Sequence, residues 1–182
     1  MQKIFNNKNY VDDYVVFDIE TSGLNPVNDK IIEIGAVKYK NNKKIEEFNY
    51  LIDPKIVLPE IITRVTGITD NDLKGKPSIE YVLPKFLDFI NGYTIIGHNV
   101  KFDISFINQN AKRMHLKELD NDVIDTLFLS RINIYDIKNH KLETLKKYLN
   151  LSFNSHRATA DCYTCNEVYQ YCKRKNGGEK ND

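Results

Sequence analysis

No stretch of this chain is apolar and long enough to span a bilayer, and the start, MQKIFNNKN, is polar, with none of the pattern of a signal peptide. The expectation is a cytoplasmic protein with no membrane partner. An excess of either charge is also missing. The 26 basic and 25 acidic residues leave +1, so no global field recruits nucleic acid, although a local patch still can. Cysteine is scarce: Cys162, Cys165 and Cys172 are an odd number, which argues against a secreted disulfide framework. Cys162-x-x-Cys165 has no second C-x-x-C to complete a zinc site. The three positions fall within roughly 80° of one helical face, which favours core packing. Internal repeats, low-complexity runs and domain boundaries are absent as well. For 182 residues with 41% hydrophobic content, one domain with a real core is expected.

What is present begins at Tyr14–Leu24, YVVFDIETSGL. Tyr14–Phe17 is a β-branched and aromatic run, the pattern of a buried strand. The side-chain period of a strand is two, so Asp18 and Glu20 leave the same face, about 7 Å apart along the backbone. Paired oxygen ligands suit hard divalent cations, and two such ions stabilise the attacking and leaving oxygens of a phosphodiester displacement. An ordinary acidic turn after an edge strand is the competing reading. Thr21-Ser22-Gly23 ends the strand, with a positive φ expected at Gly23.

Further along, Ile31–Tyr39 and Ile45–Ile52 have strand patterns, joined by a hairpin turn over 41–44. Three strands in succession predict an antiparallel start. Residues 60–65 predict a short helix closed by Thr66-Gly67. Ile79, Val82, Leu83, Phe86, Leu87 and Ile90 recur at helical spacing, so 77–91 is an amphipathic helix that Pro84 should kink or divide. Residues 93–97 form a fourth strand leading into His98-Asn99-Val100-Lys101-Phe102-Asp103, with a helix from 103 to 114. Asp103 then opens a helix, where a plain N-cap is the alternative. Phe102 suits core support for Asp103 better than a base platform. A short strand over 123–125 and a helix to 134 follow, with Asp125 a second N-cap candidate. Residues 141–149 pack as a helix. Strands followed by strands and helices in alternation predict an α/β domain on one mixed sheet.

The last informative stretch is SHRATADCYTCNEVYQY. Its apolar stripe predicts a long helix, with His156 at the start and Asp161 about one turn in. A histidine near a helix start is usually a surface or capping residue. The combination carries more: D-x-E after a strand, an Asp opening a helix after H-N-x-x-F, and H-x-x-x-x-D at a late helix.

FDIETSGL, GHNVKFD and HRATADC resemble the three motifs of the DEDDh 3′→5′ exonucleases. The resemblance is greatest to the proofreading exonuclease of bacterial replicative DNA polymerases of the Gram-positive type. It extends to IIEIGAVKYKNNKKIEEF, RVTGITDNDLKGKP, VLPKFLDFI and VIDTLFLSRI, covering roughly 13–172. It implies a ribonuclease H-like fold: a mixed five-stranded sheet flanked by helices. The exonuclease domain is then expected over 13–175, with a polar, Asn- and Lys-rich lead-in over 1–12 and an Asn-Gly-Gly tail over 176–182 whose composition predicts disorder.

By position, Asp18 and Glu20 match the family's first two acids, Asp103 the third, Asp161 the fourth and His156 the histidine. The resemblance implies two ions, Mg²⁺ or Mn²⁺, held by the acids, and His156 as general base for a water that releases a nucleoside 5′-monophosphate. Four carboxylates facing a polyanion repel it and one another, so cations must neutralise them first. An ordinary His pKa of about 6.5 leaves the imidazole mostly neutral, as a base requires.

Substrate contacts implied in the same way are Thr21, Leu24, Thr66 and His98, with Leu24 wedged between bases or else a core leucine. Many relatives carry His where this chain has Thr66. The expected partner is a single-stranded 3′ end, DNA in preference to RNA, with a DNA polymerase subunit as candidate partner. A 3′→5′ exoribonuclease and an inactive binding module of the same fold are the alternatives, and five intact site residues weigh against the second.

Overall fold

The computed structural model describes residues 10–152 and 157–177. It opens with an antiparallel meander of β1 (Tyr14–Thr21), β2 (Ile31–Lys40) and β3 (Lys43–Leu51). The β2–β3 turn is tighter than expected. Only Asn41 and Asn42 lie in it, at φ 50° and 59°, the two left-handed positions of a type I′ hairpin, which Asn tolerates. Lys43 and Lys44 already pair with Lys40 and Tyr39.

Then come α1 (Glu60–Thr66), α2 (Asp70–Leu73) and α3 (Ile79–Ile90). Helix α2 is not anticipated by apolar periodicity, because at four residues it has none. A capping box makes it: Thr69 Oγ1 accepts from Asp72 N, and Asp72 Oδ2 accepts from Thr69 N at 2.8 Å. Pro84 does not divide α3, which is continuous through it. Only the bond to the exposed Glu80 carbonyl is forfeited, while Val82, Leu83, Phe86 and Ile90 are buried and hold both halves to the core.

The chain continues as β4 (Thr94–Gly97), α4 (Lys101–Arg113), β5 (Val123–Asp125), α5 (Thr126–Asn133), α6 (Leu142–Tyr148) and α7 (Ala158–Gly177). Strands β4 and β5 add in parallel, giving a mixed sheet in the order β3-β2-β1-β4-β5. Helix α4 starts two residues before Asp103, which therefore lies inside the first turn and is not the N-cap. Asp125 is the N-cap of α5, accepting from Leu127 N at 2.9 Å. Helix α7 runs through Asn176, which had been expected in the tail; residues 178–182 lie outside the described residues.

Both faces of the sheet are covered. Val15, Phe17 and Ile19 of β1 face α3 and α4, packing with Leu83, Phe86 and Phe106. Tyr14 and Val16 face α7, packing with Val168, Tyr169 and the free, buried Cys162, Cys165 and Cys172. The cysteines are core residues, as their spacing predicts. Strand alternation then places Asp18 and Glu20 on the face that α7 covers. Among the described residues, no helix is long and apolar enough to cross a membrane.

Candidate active site

Strands β1 and β4 are parallel, so their carboxyl ends share one edge of the sheet, the edge where open α/β sheets bind ligands. Strand β1 delivers Asp18 and Glu20 there. Helix α4 leaves the end of β4 through Asn99, at φ 58°, and brings Asp103. Helix α7 brings Asp161 in its first turn. Its close approach depends on Gly35, which pairs with Asp18 across β2: a Cβ on Gly35 would lie 2.5 Å from Thr159 N and 2.6 Å from the Ala158 carbonyl carbon.

The result is a cluster in which Asp18, Glu20 and Asp161 each present an oxygen within 4.8 Å of the others. Asp103 is buried beside it, and its Oδ1 accepts from Ile19 N at 3.2 Å. Burial, then the Asp103, Glu20 and Asp161 charges, push Asp18 well above the carboxylate range. Burial, then Asp161 and Glu33, raise Glu20 to about 8. Burial lifts Asp103 to about 8 against the pull of backbone N–H groups, including that of Ile19. Three hard oxygen donors with this mutual repulsion fit a divalent cation, which neutralises them together.

The acids line a cleft of about 390 Å³, whose other walls include His98, Phe102, Lys141 and Lys146. Phe102 packs on Phe106, with ring centroids 5.0 Å apart, so it supports the start of α4 while one side faces the cleft. His98 is engaged at both ring nitrogens. Nε2 donates to the His140 carbonyl at 2.9 Å and Nδ1 meets Thr126 Oγ1 at 3.0 Å; burial holds its pKa below the usual histidine value. The ring thus ties the end of β4 to the loop before α6.

The remaining residues expected to bind substrate lie outside this cleft. Thr21 is buried and its hydroxyl donates to the Gly23 carbonyl at 2.6 Å. Thr66 is buried at the end of α1, donating to the Ile62 carbonyl and accepting from Ile68 N. Leu24 is no core leucine: it is 84% exposed, on a turn closed by Ser22 and Lys30. Gly23 does not take the positive φ expected of it. A Cβ there would lie 2.4 Å from Asp29 Oδ2, so a larger residue would have to displace the carboxylate that caps Asn25 N. His156 falls outside the described residues.

Sequence reasoning missed Lys141 and Lys146, which nothing in a one-dimensional pattern distinguishes from other surface lysines. It also missed Glu33, which is 0% exposed. An acid interrupting the apolar run IIEIGAV was the available signal.

A mixed five-stranded sheet with helices on both faces and a carboxylate cluster at its carboxyl edge is the architecture of the ribonuclease H-like fold. The chain belongs to the exonuclease family (RNase_T), which matches residues 15–169. It is 46% identical over 158 residues to a PolC-type DNA polymerase III of Caldanaerobacter subterraneus subsp. tengcongensis, a match covering 86% of this chain and 11% of the polymerase. A PolC-type DNA polymerase III of Clostridium perfringens is 43% identical, covering 92% of this chain and 12% of the polymerase. The chain thus spans about a tenth of the length of these relatives. Among solved structures, exonuclease X in complex with 5′ overhanging duplex DNA superposes with a TM-score of 0.71 at 24% identity, covering 92% of this chain and 94% of that one. E. coli exonuclease I with a dT13 oligonucleotide superposes at 0.76 and 19% identity, covering 87% and 40%.

Proposed function

We propose that this site removes nucleotides from the 3′ end of single-stranded or frayed DNA, releasing nucleoside 5′-monophosphates in proofreading or repair. The observation that carries the reading is the meeting of Asp18, Glu20 and Asp161 within 4.8 Å, in a chain of the exonuclease family. DNA is preferred to RNA because the curated relatives are DNA polymerases. The same relatives support a DNA polymerase as partner, action in the cytoplasm, and an exonuclease domain over 13–175.

Asp18, Glu20 and Asp161 would hold the cation, with Asp103 supporting the shell of a second; Mg²⁺ or Mn²⁺ suits the all-oxygen set. Bound there, the ions would supply charge neutralisation and activation of the attacking water. The protein's own part is to hold four acids at one sheet edge and move a proton. We assign that proton to His156, which would take it from the water attacking the terminal phosphodiester. The assignment rests on its sequence position five residues before Asp161. Leu24, exposed on a braced turn, would wedge against the terminal base, while the backbone at Thr21, the ring of His98 and the α1 end at Thr66 would shape the nucleotide site.

The test is release of nucleoside monophosphates from matched 3′-labelled DNA and RNA single strands with Mg²⁺ or Mn²⁺, with Asp18→Ala as blank. Metal-dependent release that is faster on DNA and lost in the variant is expected. Faster release from RNA would assign an exoribonuclease, the 2′-OH being the discriminating group. Release from neither would leave a binding module.

A further inference from the structure

Glu33 lies in the middle of β2 and is 0% exposed, directly across the ladder from Glu20. An acid at that place adds negative charge to a site already crowded with it. Its partners explain the position. Arg157 lays its guanidinium on the carboxylate through Nη2 at 3.1 Å from Oε1 and Nε at 3.3 Å from Oε2, and Ala158 N donates to Oε2 at 3.3 Å. Arg157 is the residue immediately before α7, and its carbonyl accepts from Asp161 N at 3.0 Å. A continuous chain of hydrogen bonds therefore runs from β2 through Arg157 to the backbone of Asp161.

We propose that Glu33 and Arg157 are a positioning pair for this site: the buried carboxylate holds the residue before α7 and so sets Asp161 against Asp18 and Glu20. The proposal rests on the reading of those acids as the reacting site. A pair kept for stability alone fits the observations less well. Burying a carboxylate costs several kcal/mol before its partners repay it, and an apolar pair of the same volume often does as well. An apolar pair would not fix direction. The planar guanidinium fork against a carboxylate specifies both distance and orientation, and the third bond, from Ala158 N to Oε2, ties the helix start to the same carboxylate. The neighbouring Gly35 removes the side chain that would hold the helix off. One face of β2 thus both admits the start of α7 and pins it.

The experiment compares wild type, Arg157→Ala, Arg157→Lys, Glu33→Gln and the Glu33→Gln/Arg157→Ala double variant. It measures Mn²⁺ affinity by calorimetry on the protein alone, and kcat and KM on a single-stranded DNA oligonucleotide. Partners that orient metal ligands cost roughly 10–100-fold when removed. We expect Mn²⁺ affinity and kcat to fall about tenfold or more in Arg157→Ala, with KM within about twofold, and partial recovery in Arg157→Lys. The double variant should be no worse than the poorer single one, since the residues act as a unit. Unchanged Mn²⁺ affinity in Arg157→Ala, a loss confined to KM, or additive effects in the double variant would overturn the pair. If Glu33→Gln fails to fold, Arg157→Ala decides, because the Arg157 side chain is 48% exposed and its loss empties no core. A wild type that binds Mn²⁺ but releases no nucleotide sinks the exonuclease reading and leaves the Mn²⁺ comparison to judge the pair. A wild type that binds no Mn²⁺ overturns both.

Discussion

The backbone N–H of Ile19 donates to Asp103 Oδ1 at 3.2 Å, so the strand that carries Asp18 and Glu20 also fixes the acid arriving from α4. Asp103→Asn keeps an acceptor for that N–H and removes the charge. Folding should therefore survive, with an unchanged circular dichroism spectrum. Turnover should fall by about 10² or more, in line with loss of one preorganised electrostatic group. Near wild-type turnover would remove Asp103 from the site's chemistry.

The acids make metal-free stability depend on pH, with a definite sign. Asp18, Glu20 and Asp103 are raised in the folded state, the latter two to about 8. A raised carboxyl binds its proton more tightly folded than unfolded. Its contribution is present at low pH and is lost as pH climbs from the ordinary carboxylate value, about 4, through the folded value. Tm measured in chelator should fall between about pH 4 and 8 as the Glu20 and Asp103 contributions are lost. Glu20→Gln should flatten that slope. Mg²⁺ or Mn²⁺ should raise Tm more at pH 8 than at pH 5, because protons compete for the same oxygens. A metal-free Tm that rises over this window would contradict the raised values.

Gly35 and Gly75 separate close approach from backbone strain. Gly35→Ala drives a methyl into Thr159 N and Ala158, so α7 must move off the sheet; a cost of about 1–3 kcal/mol is expected, together with a marked loss of turnover. Gly75 sits at φ 76° with open space around its Cα. Gly75→Ala should cost about 1 kcal/mol from the left-handed backbone and leave kcat unchanged. Thermal melts with steady-state kinetics check both.

Leu24 and Thr66 should part in the same way. Leu24→Ala removes an 84% exposed side chain, so stability should stay within about 0.5 kcal/mol while KM for single-stranded DNA rises severalfold. Thr66→Ala strips a buried hydroxyl that both donates to Ile62 and accepts from Ile68, and should cost about 1–3 kcal/mol. A Leu24→Ala variant with wild-type KM would dismiss the wedge.

Much of this protein was determined by its sequence alone, because the signals concerned are local. Strand alternation puts Asp18 and Glu20 on one face whatever packs against it, and period 3.6 marks α3 and the cysteine face of α7. The order of D-x-E, H-N-x-x-F-D and H-x-x-x-x-D also needs no coordinates to be seen. Local chemistry likewise explains the tight Asn41-Asn42 turn and α2, whose T-x-x-D cap lies outside any apolar period. Other features were decided only by tertiary structure, because they depend on residues far apart in the chain. Glu33 meets Arg157 across 124 positions, and Gly35 is required only because α7 crosses at that point. Asp103 looks like a helix cap until the N–H of Ile19, 84 residues away, is found bound to it. A hydroxyl such as that of Thr66 is equally plausible in a binding site or in a helix end, and its bonds to the Ile62 carbonyl and Ile68 N are visible only in the folded chain. Local pattern is written in spacing, whereas the meeting of β2 with the start of α7 is set by how the sheet and its covering helices pack.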